Sequence, residues 1–285
     1  MSTTVLQLII NGLLLGGIYA LISIGLTLIF GVVEIINFAH GEFLMLSMYA
    51  SYWLFHLYGV DPYVSLFMVI PIFFAIGWAV QRIIIQPIIH APPLNQIFAT
   101  VGMSLVLQNA ALFFWKADYR TVRTAYSTIS LGGLMISTPR LVAFVLALAI
   151  IAALLTFLKR TYTGKAIRAL AQEKRAAMLM GIDIYRMYKI AFGIGIACVG
   201  AAGAVLIPIY YAFPTVGAMF VLIAFVVVIL GGYNSLVGAL IGGLIIGLVE
   251  AFSGFFLSPH LKEAVYFVIF ILILLLRPTG LFGRA

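Results

Sequence analysis

Charge is the scarcest thing in this sequence. Its 285 residues hold 8 acidic and 16 basic side chains, and charged residues make up 8% of the chain, about a third of the share in an average soluble domain. The hydrophobic set reaches 65%, so a water-facing surface cannot be built from this composition. Cysteine is nearly absent: Cys198 alone cannot close an internal disulfide, and its apolar surroundings make it a small packing residue. The four histidines are scattered, and no Cys/His spacing suits a metal ion. No GxxxxGK[ST] loop is present, which excludes ATP hydrolysis by this chain. Ser23, Ser104 and Ser253 lie in apolar runs without a base at helical spacing, which argues against an intramembrane hydrolase. No Lys or Arg precedes the first apolar run, "MSTTVLQLIINGLLL", so that run is expected to be retained rather than removed as a signal peptide.

What is present is long apolar helix. A hydrocarbon core takes about 20 apolar residues to cross, and Val5 to Val33 holds no charged residue. "AFVLALAIIAALLTFL", Ala143 to Leu158, does not alternate in polarity, which excludes a β-barrel. The expected fold is all-α, a polytopic transmembrane helical bundle forming one domain over 1–285. Apolar runs fall near 5–33, 42–58, 63–81, 96–115, 141–158, 188–212, 215–231, 236–257 and 263–276. They predict eight to ten crossings with discontinuous helices, because the first run is overlong and Gly231 to Ser235 is short for a loop. Gly12/Gly16, Gly238/Gly242 and Gly243/Gly247 are spaced for close helix packing. Trp53, Tyr58 and Trp115 stand near span ends, where aromatic rings anchor at the headgroup level.

Orientation follows from the basic residues. Lys159 to Lys189 carries eight basic and two acidic side chains, which places this loop in the cytoplasm together with the tail "RPTGLFGRA". Lys116 to Arg140 then falls outside despite four basic residues, as does the amino terminus. Within the loop, Thr163 to Gly181 predicts a short helix outside the bilayer, with Gly181 and Asp183 as its stop. Ile167, Leu170, Ala171, Ala177 and Met178 recur on one face, interrupted only by Lys174, while Lys165, Arg168, Gln172 and Arg175 face elsewhere. Such a helix either rests on anionic headgroups or docks a soluble partner. The charge of +8 is no sign of nucleic-acid binding, since half of the basic residues sit in this one loop.

"GVVEIINFAHGEFLML", Gly31 to Leu46, places Glu34, Asn37, His40 and Glu42 within apolar sequence. An ionised carboxylate at the centre of a lone helix costs about 2.5–3.5 kcal/mol on insertion scales. The segment is therefore either a tight cytoplasmic turn or a helix break lining a cavity, with Gly31 and Gly41 permitting the break. The later stretch "VVVILGGYNSLVGALIGGLIIG" echoes it, with a polar, glycine-bounded segment from Gly231 to Gly238. Paired interrupted helices often mark a transport path. Glu250 is expected to reach the interface or a helix partner.

Three stretches carry a family resemblance. "GKAIRALAQEKRAAMLMGID" resembles the coupling segment of bacterial ABC importer permeases, in which an Ala-Ala pair, here Ala176 and Ala177, precedes a glycine, here Gly181, by four positions. It departs from the common pattern in having Arg175 where Glu is usual. "GLTLIFGVVEIINFAHGEFLML" and "IFATVGMSLVLQN" are similar to the first permease subunit of branched-chain amino acid importers, and the resemblance runs nearly the whole length. It implies a multi-pass inner-membrane subunit paired with a second, homologous permease. It also implies two ATPase subunits that bind ATP and Mg, and a periplasmic substrate-binding protein; this chain itself would carry no cofactor. Gly164, Ile167, Arg168, Ala171, Glu173, Arg175, Ala176, Ala177 and Gly181 would then form the ATPase-coupling segment within 159–189. The substrate pathway would be flanked by Asn37, Phe38, His40 and Glu42, and by Gly231, Gly232, Tyr233, Asn234 and Ser235. Asn37 and Asn234 would offer amide groups to a zwitterion, Phe38 and Tyr233 an apolar wall, and His40 and Glu42 would tie the broken backbone to a neighbouring helix. A stand-alone secondary transporter or channel is the rival reading; it would use Glu34 and Glu42 but leaves the Ala-Ala-Gly segment unexplained.

Overall fold

In the computed structural model, which describes residues 2–122, 127–257, 261–277 and 279–283, the chain is a helical bundle. His260 lies outside the described residues. The helices are α1 (Ser2–Val33), α2 (His40–Tyr58), α3 (Pro62–Val80), α4 (Gln86–Ile88), α5 (Pro93–Trp115), α6 (Thr138–Arg160), α7 (Tyr162–Gln172), α8 (Lys174–Leu179), α9 (Ile184–Leu206), α10 (Val216–Gly231), α11 (Leu236–Phe256) and α12 (Lys262–Leu276). A wider π-turn, Gln81–Ile85, continues α3 into α4.

Six helices, at 3–33, 62–88, 93–115, 138–160, 184–206 and 236–256, are long and apolar enough to cross a bilayer, and Val216–Gly231 and Ala264–Leu276 are shorter apolar helices. The nine apolar runs of the sequence all become helix, but among the described residues six of them are both long and apolar enough for a crossing. The run expected over 188–212 stops at Leu206, because Pro208 has no amide hydrogen to continue the ladder and its ring disfavours helix in the residue before it.

α1 and α9 are the buried centre. α1 packs along α11 through two of the three glycine pairs read from the sequence, Gly12/Gly16 and Gly243/Gly247: a Cβ on Gly16 would lie 2.7 Å from Leu244 Cα, and one on Gly243 would lie 2.5 Å from the Ala20 amide nitrogen; Gly238/Gly242 packs on α10 instead. Removing the side chains there lets the two backbones touch, the main source of helix association where lipid supplies no hydrophobic drive.

One feature departs from all-helix. Thr128–Leu131 and Leu134–Ser137 form an antiparallel hairpin whose two-residue turn is Gly132-Gly133, both with positive φ, as a tight hairpin with matching twist requires. Gln7 holds it to the start of α1, donating to the Met135 carbonyl and accepting from its amide, each over 2.8 Å. At the same end, Arg120 and Ala212 exchange backbone hydrogen bonds. The opposite end gathers the α7–α8 loop, the α10–α11 turn and the carboxyl-terminal tail. Contacts at this end include Lys174 with Glu34, the Leu281 amide with the Leu230 carbonyl and, beside them, His90 with Tyr185. The basic loop and the tail thus share one side, and the 116–140 segment takes the other.

Arg120, on that second side, lies 5.0 Å from the Trp53 ring and 5.5 Å from the Tyr52 ring, and its neighbour Asp118 is 3.7 Å away. Part of the basic charge in this segment is therefore absorbed by aromatic faces and a carboxylate. Trp115 stacks on Tyr49 with ring centroids 4.2 Å apart, so it packs against its own bundle, while Tyr58 is the exposed ring of the three expected anchors.

Candidate functional site

α1 ends at Val33, and Glu34 takes a left-handed conformation with φ of 61° while its amide still bonds the Phe30 carbonyl. From there the chain does not turn outward. It runs back, non-helical, along α1 until His40 Nε2 reaches the carbonyl oxygen of Ile22 at 3.0 Å. Ile22 lies about 16 Å back from the end of α1 at 1.5 Å per residue. Segment 34–39 therefore begins at the basic-loop side and re-enters the bundle, so it combines the turn and the break left open by the sequence. Only within protein does such irregular backbone persist at depth.

Beyond Glu34, which is exposed, the polar side chains are enclosed: Asn37 and His40 are 0% exposed and Glu42 is 2%, while Ile36 and Phe38 are half-buried. Asn37 Oδ1 accepts from the Ala39 amide over 3.1 Å, an Asx turn that starts α2 from a buried position. His40 binds α1, and Glu42 accepts from Ser104 Oγ of α5 over 3.2 Å. Phe38 packs on Phe225 of α10 with centroids 5.2 Å apart. Among the described residues, Asn37 Nδ2, His40 Nδ1 and one Glu42 oxygen have no hydrogen-bond partner. Unpaired buried polar atoms cost about 1–3 kcal/mol each, and such costs are retained where function uses them.

The second interrupted helix is α10. A Cβ on Gly217 would stand 2.5 Å from the Gly41 carbonyl oxygen, so the first turns of α2 and α10 cross with backbones in contact, inside the bundle. The echo expected at Gly231 to Gly238 is instead a turn between α10 and α11 that exposes Tyr233 and Asn234 and buries Gly231 and Gly232, about 21 Å along α10 from Gly217. Gly232 adopts φ of 99°, Ser235 Oγ caps α11 by accepting from the Gly238 amide, and the Tyr233 ring lies 4.8 Å from Phe30. The structure therefore does not bring Asn37 and Asn234 into one site. Gly217 was missed because the sequence signal at 231–235 is the louder of the two; the true partner of Gly41 is a single glycine after Thr215.

The basic loop is two helices, not one. Thr161 rather than Thr163 caps α7, its Oγ1 accepting from the Gly164 amide. Gly164 lets α7 lie against the end of α6, where a Cβ would meet Leu158 Cα at 2.5 Å, and Arg168 Nε donates to the Leu158 carbonyl over 2.9 Å. Glu173 is extended and breaks the helix; its carboxylate accepts from the Arg175 amide and starts α8. Gly181, with φ of 78°, ends it. Ile167, Leu170 and Ala177 point inward as the stripe predicts, and Ala171 is half-buried. Met178 does not: it is exposed, and with Leu179 at 89% and Met180 at 81% it forms an apolar tip beside exposed Arg175 and Ala176. Arg168, Ile167 and Ala171 share a cavity of about 770 Å³ with Asn234 and Ser235.

Lys174, the interruption in the stripe, lies 2.6 Å from the Glu34 carboxylate and 5.8 Å from the Tyr188 ring. Burial alone would lower its pKa; the bonds to Glu34 and Tyr188 outweigh it and raise the ammonium above the ordinary lysine value. A half-exposed pair of this kind is worth about 0.2–1 kcal/mol, whereas left-handed backbone at a residue with a Cβ costs roughly 1–2 kcal/mol. Stability alone does not account for a glutamate at position 34.

Among the described residues no group of three or more His, Cys, Asp or Glu side chains is placed to hold a metal ion, and Cys198 is buried as a free thiol.

Comparison with known proteins agrees with this architecture. Residues 8–274 match the family described as branched-chain amino acid transport system, permease component. The high-affinity branched-chain amino acid transport system permease protein BraD of Pseudomonas aeruginosa is 33% identical over 98% of this chain and 96% of its own length. LivH of Escherichia coli K12, named in the same terms, is 35% identical over the same shares. A probable branched-chain amino acid transport permease protein LivH of the archaeon Methanocaldococcus jannaschii is 27% identical over 97% of this chain and 92% of its own. No solved structure gives a significant match. With its apolar helices and full-length likeness to these proteins, the chain belongs to the branched-chain amino acid transport permease family and is a multi-pass membrane protein.

Proposed function

We propose that this permease is one membrane subunit of a binding-protein-dependent ABC importer in a bacterial inner membrane, carrying branched-chain amino acids or related small amino acids, amides or organic acids. It pairs with a second, homologous permease, receives substrate from a periplasmic binding protein and is driven by two ATPase subunits, which bind ATP and Mg. The chain contributes no catalytic group. The relatives' names support the substrate class.

The observation that carries the reading is the α7–α8 loop: a basic pair of helices whose inner face is anchored on α1, α6 and α9 while Met178, Leu179 and Met180 stand exposed at its tip. Apolar side chains exposed beside cationic ones suit a groove on a soluble protein better than water. In this reading the tip seats in the ATPase. Arg168 and Ile167 on α7 border the cavity beside the Gly231–Ser235 turn, and the half-helices starting at His40 and Val216 border the path. Asn37 and the first turns of α2 and α10 supply donors to a substrate carboxylate, since helix amino termini carry partial positive charge.

The test is expression with the neighbouring transport genes. The proposal expects co-purification with the ATPases and leucine uptake into inside-out-free proteoliposomes that requires enclosed ATP and the loaded binding protein. Uptake driven by a proton or sodium gradient, with no ATPase bound, would overturn it and favour the secondary-transporter reading, for which the unpartnered oxygen of buried Glu42 is the supporting observation.

A further inference from the structure

We infer that the Glu34–Lys174 ion pair is the contact through which movement of the coupling loop reaches the re-entrant segment, making both side chains positioning residues of the transport cycle. The inference rests on the coupling reading of the α7–α8 loop.

Four observations converge on this pair. Lys174 alone interrupts the inward apolar stripe of the loop, and in the structure its ammonium spends that position on Glu34 at 2.6 Å. Glu34 occupies a left-handed backbone position at the end of a helix, where glycine or asparagine is the usual choice, so the carboxylate is held there against the local preference. Immediately after it come Ile35, at 1% exposure, and the fully enclosed Asn37, Ala39 and His40; a displacement of Glu34 has no slack to disappear into before it reaches them. Finally, α7 is fixed independently to α6 through Gly164 and Arg168, while α8 follows a non-helical joint at Glu173. The part of the loop that lies beyond this joint is therefore the part that holds Glu34.

The exposure of the two side chains, 34% for Lys174 and 65% for Glu34, fits a contact that opens and closes. A pair in this position is weakened by salt and by the entropy of two long side chains, so it is not a permanent staple. It links two elements that each begin at a break in helical backbone: α8 after the extended Glu173, and the re-entrant segment at the left-handed Glu34.

The experiment uses the assembled transporter in a Cys198→Ala background with a reporter cysteine at Ile36. Maleimide labelling of that cysteine is timed without nucleotide and after trapping with ATP and vanadate. In the parent, trapping is expected to change the labelling rate at least fivefold. Glu34→Gly relieves the left-handed backbone and so retains or raises thermal stability, yet it should reduce the nucleotide-driven change to less than twofold. Lys174→Ala should do the same, and the exchanged pair, Glu34→Lys with Lys174→Glu, should regain at least half of the parental change. A change that persists undiminished in both single variants overturns the inference, as does an exchanged pair no better than either. Absence of ATPase subunits from the purified parent would instead overturn the coupling reading itself.

Discussion

The Tyr19 hydroxyl donates a 2.6 Å hydrogen bond to the Glu250 carboxylate, joining α1 to α11 inside the bundle. The sequence left Glu250 between the interface and a helix partner; the partner is Tyr19, itself 2% exposed. An intramolecular hydrogen bond contributes about 0.5–1.5 kcal/mol net. Tyr19→Phe is expected to lose about that much, read as a lower unfolding midpoint in detergent, while ATPase co-purification is unchanged.

The glycine seam between α1 and α11 gives a sharper contrast. Gly243→Leu places its first side-chain carbon against the Ala20 backbone, whereas Gly102 on α5 has nothing within 4 Å of an added Cβ. Overpacking against side chains costs typically 1–3 kcal/mol, and a backbone neighbour yields less readily. Gly243→Leu should therefore greatly reduce the yield of folded, monodisperse protein, and Gly102→Ala should leave it within error of the parent.

Leu179→Glu with Met180→Glu should abolish co-purification of the ATPase subunits and cut uptake at least tenfold without altering the unfolding midpoint, because neither side chain is buried. Gly181→Trp is a poorer test of docking. Its φ of 78° would strain any other residue, so loss of function there confounds contact with backbone geometry.

Asn37→Leu removes the unpartnered amide and the Asx turn that starts α2. Uptake is expected to fall at least tenfold with the complex still assembled. Asn234→Leu, at an exposed turn, should change uptake less than threefold. Equal sensitivity at the two positions, measured as initial rates of leucine uptake, would contradict the placement of Asn37 on the path and of Asn234 outside it.

The re-entrant segment shows where a sequence reading stops. Its polar residues were conspicuous because insertion energetics forbids them on a lone helix. That argument says they need shelter but not which helix provides it, and Ile22 carries no mark of its role as the acceptor for His40. The coupling loop shows the converse. Its inward stripe was readable at Ile167, Leu170 and Ala177, and its one irregularity, Lys174, was readable as an irregularity. The break at Glu173 was hidden because extended backbone at a single residue does not disturb helical spacing on either side.

By itself the sequence determined that this protein lives in lipid, which segments become helix, which loop is basic and where glycine lets helices touch. These follow from composition and from spacing along one chain, where hydrophobic transfer and backbone sterics act locally. Tertiary structure alone decided that segment 34–39 doubles back, that Gly41 meets Gly217 rather than the 231–235 turn, and that Lys174 finds Glu34. Each of these depends on the directions in which separate helices cross, and that geometry is set by the packing of the entire bundle.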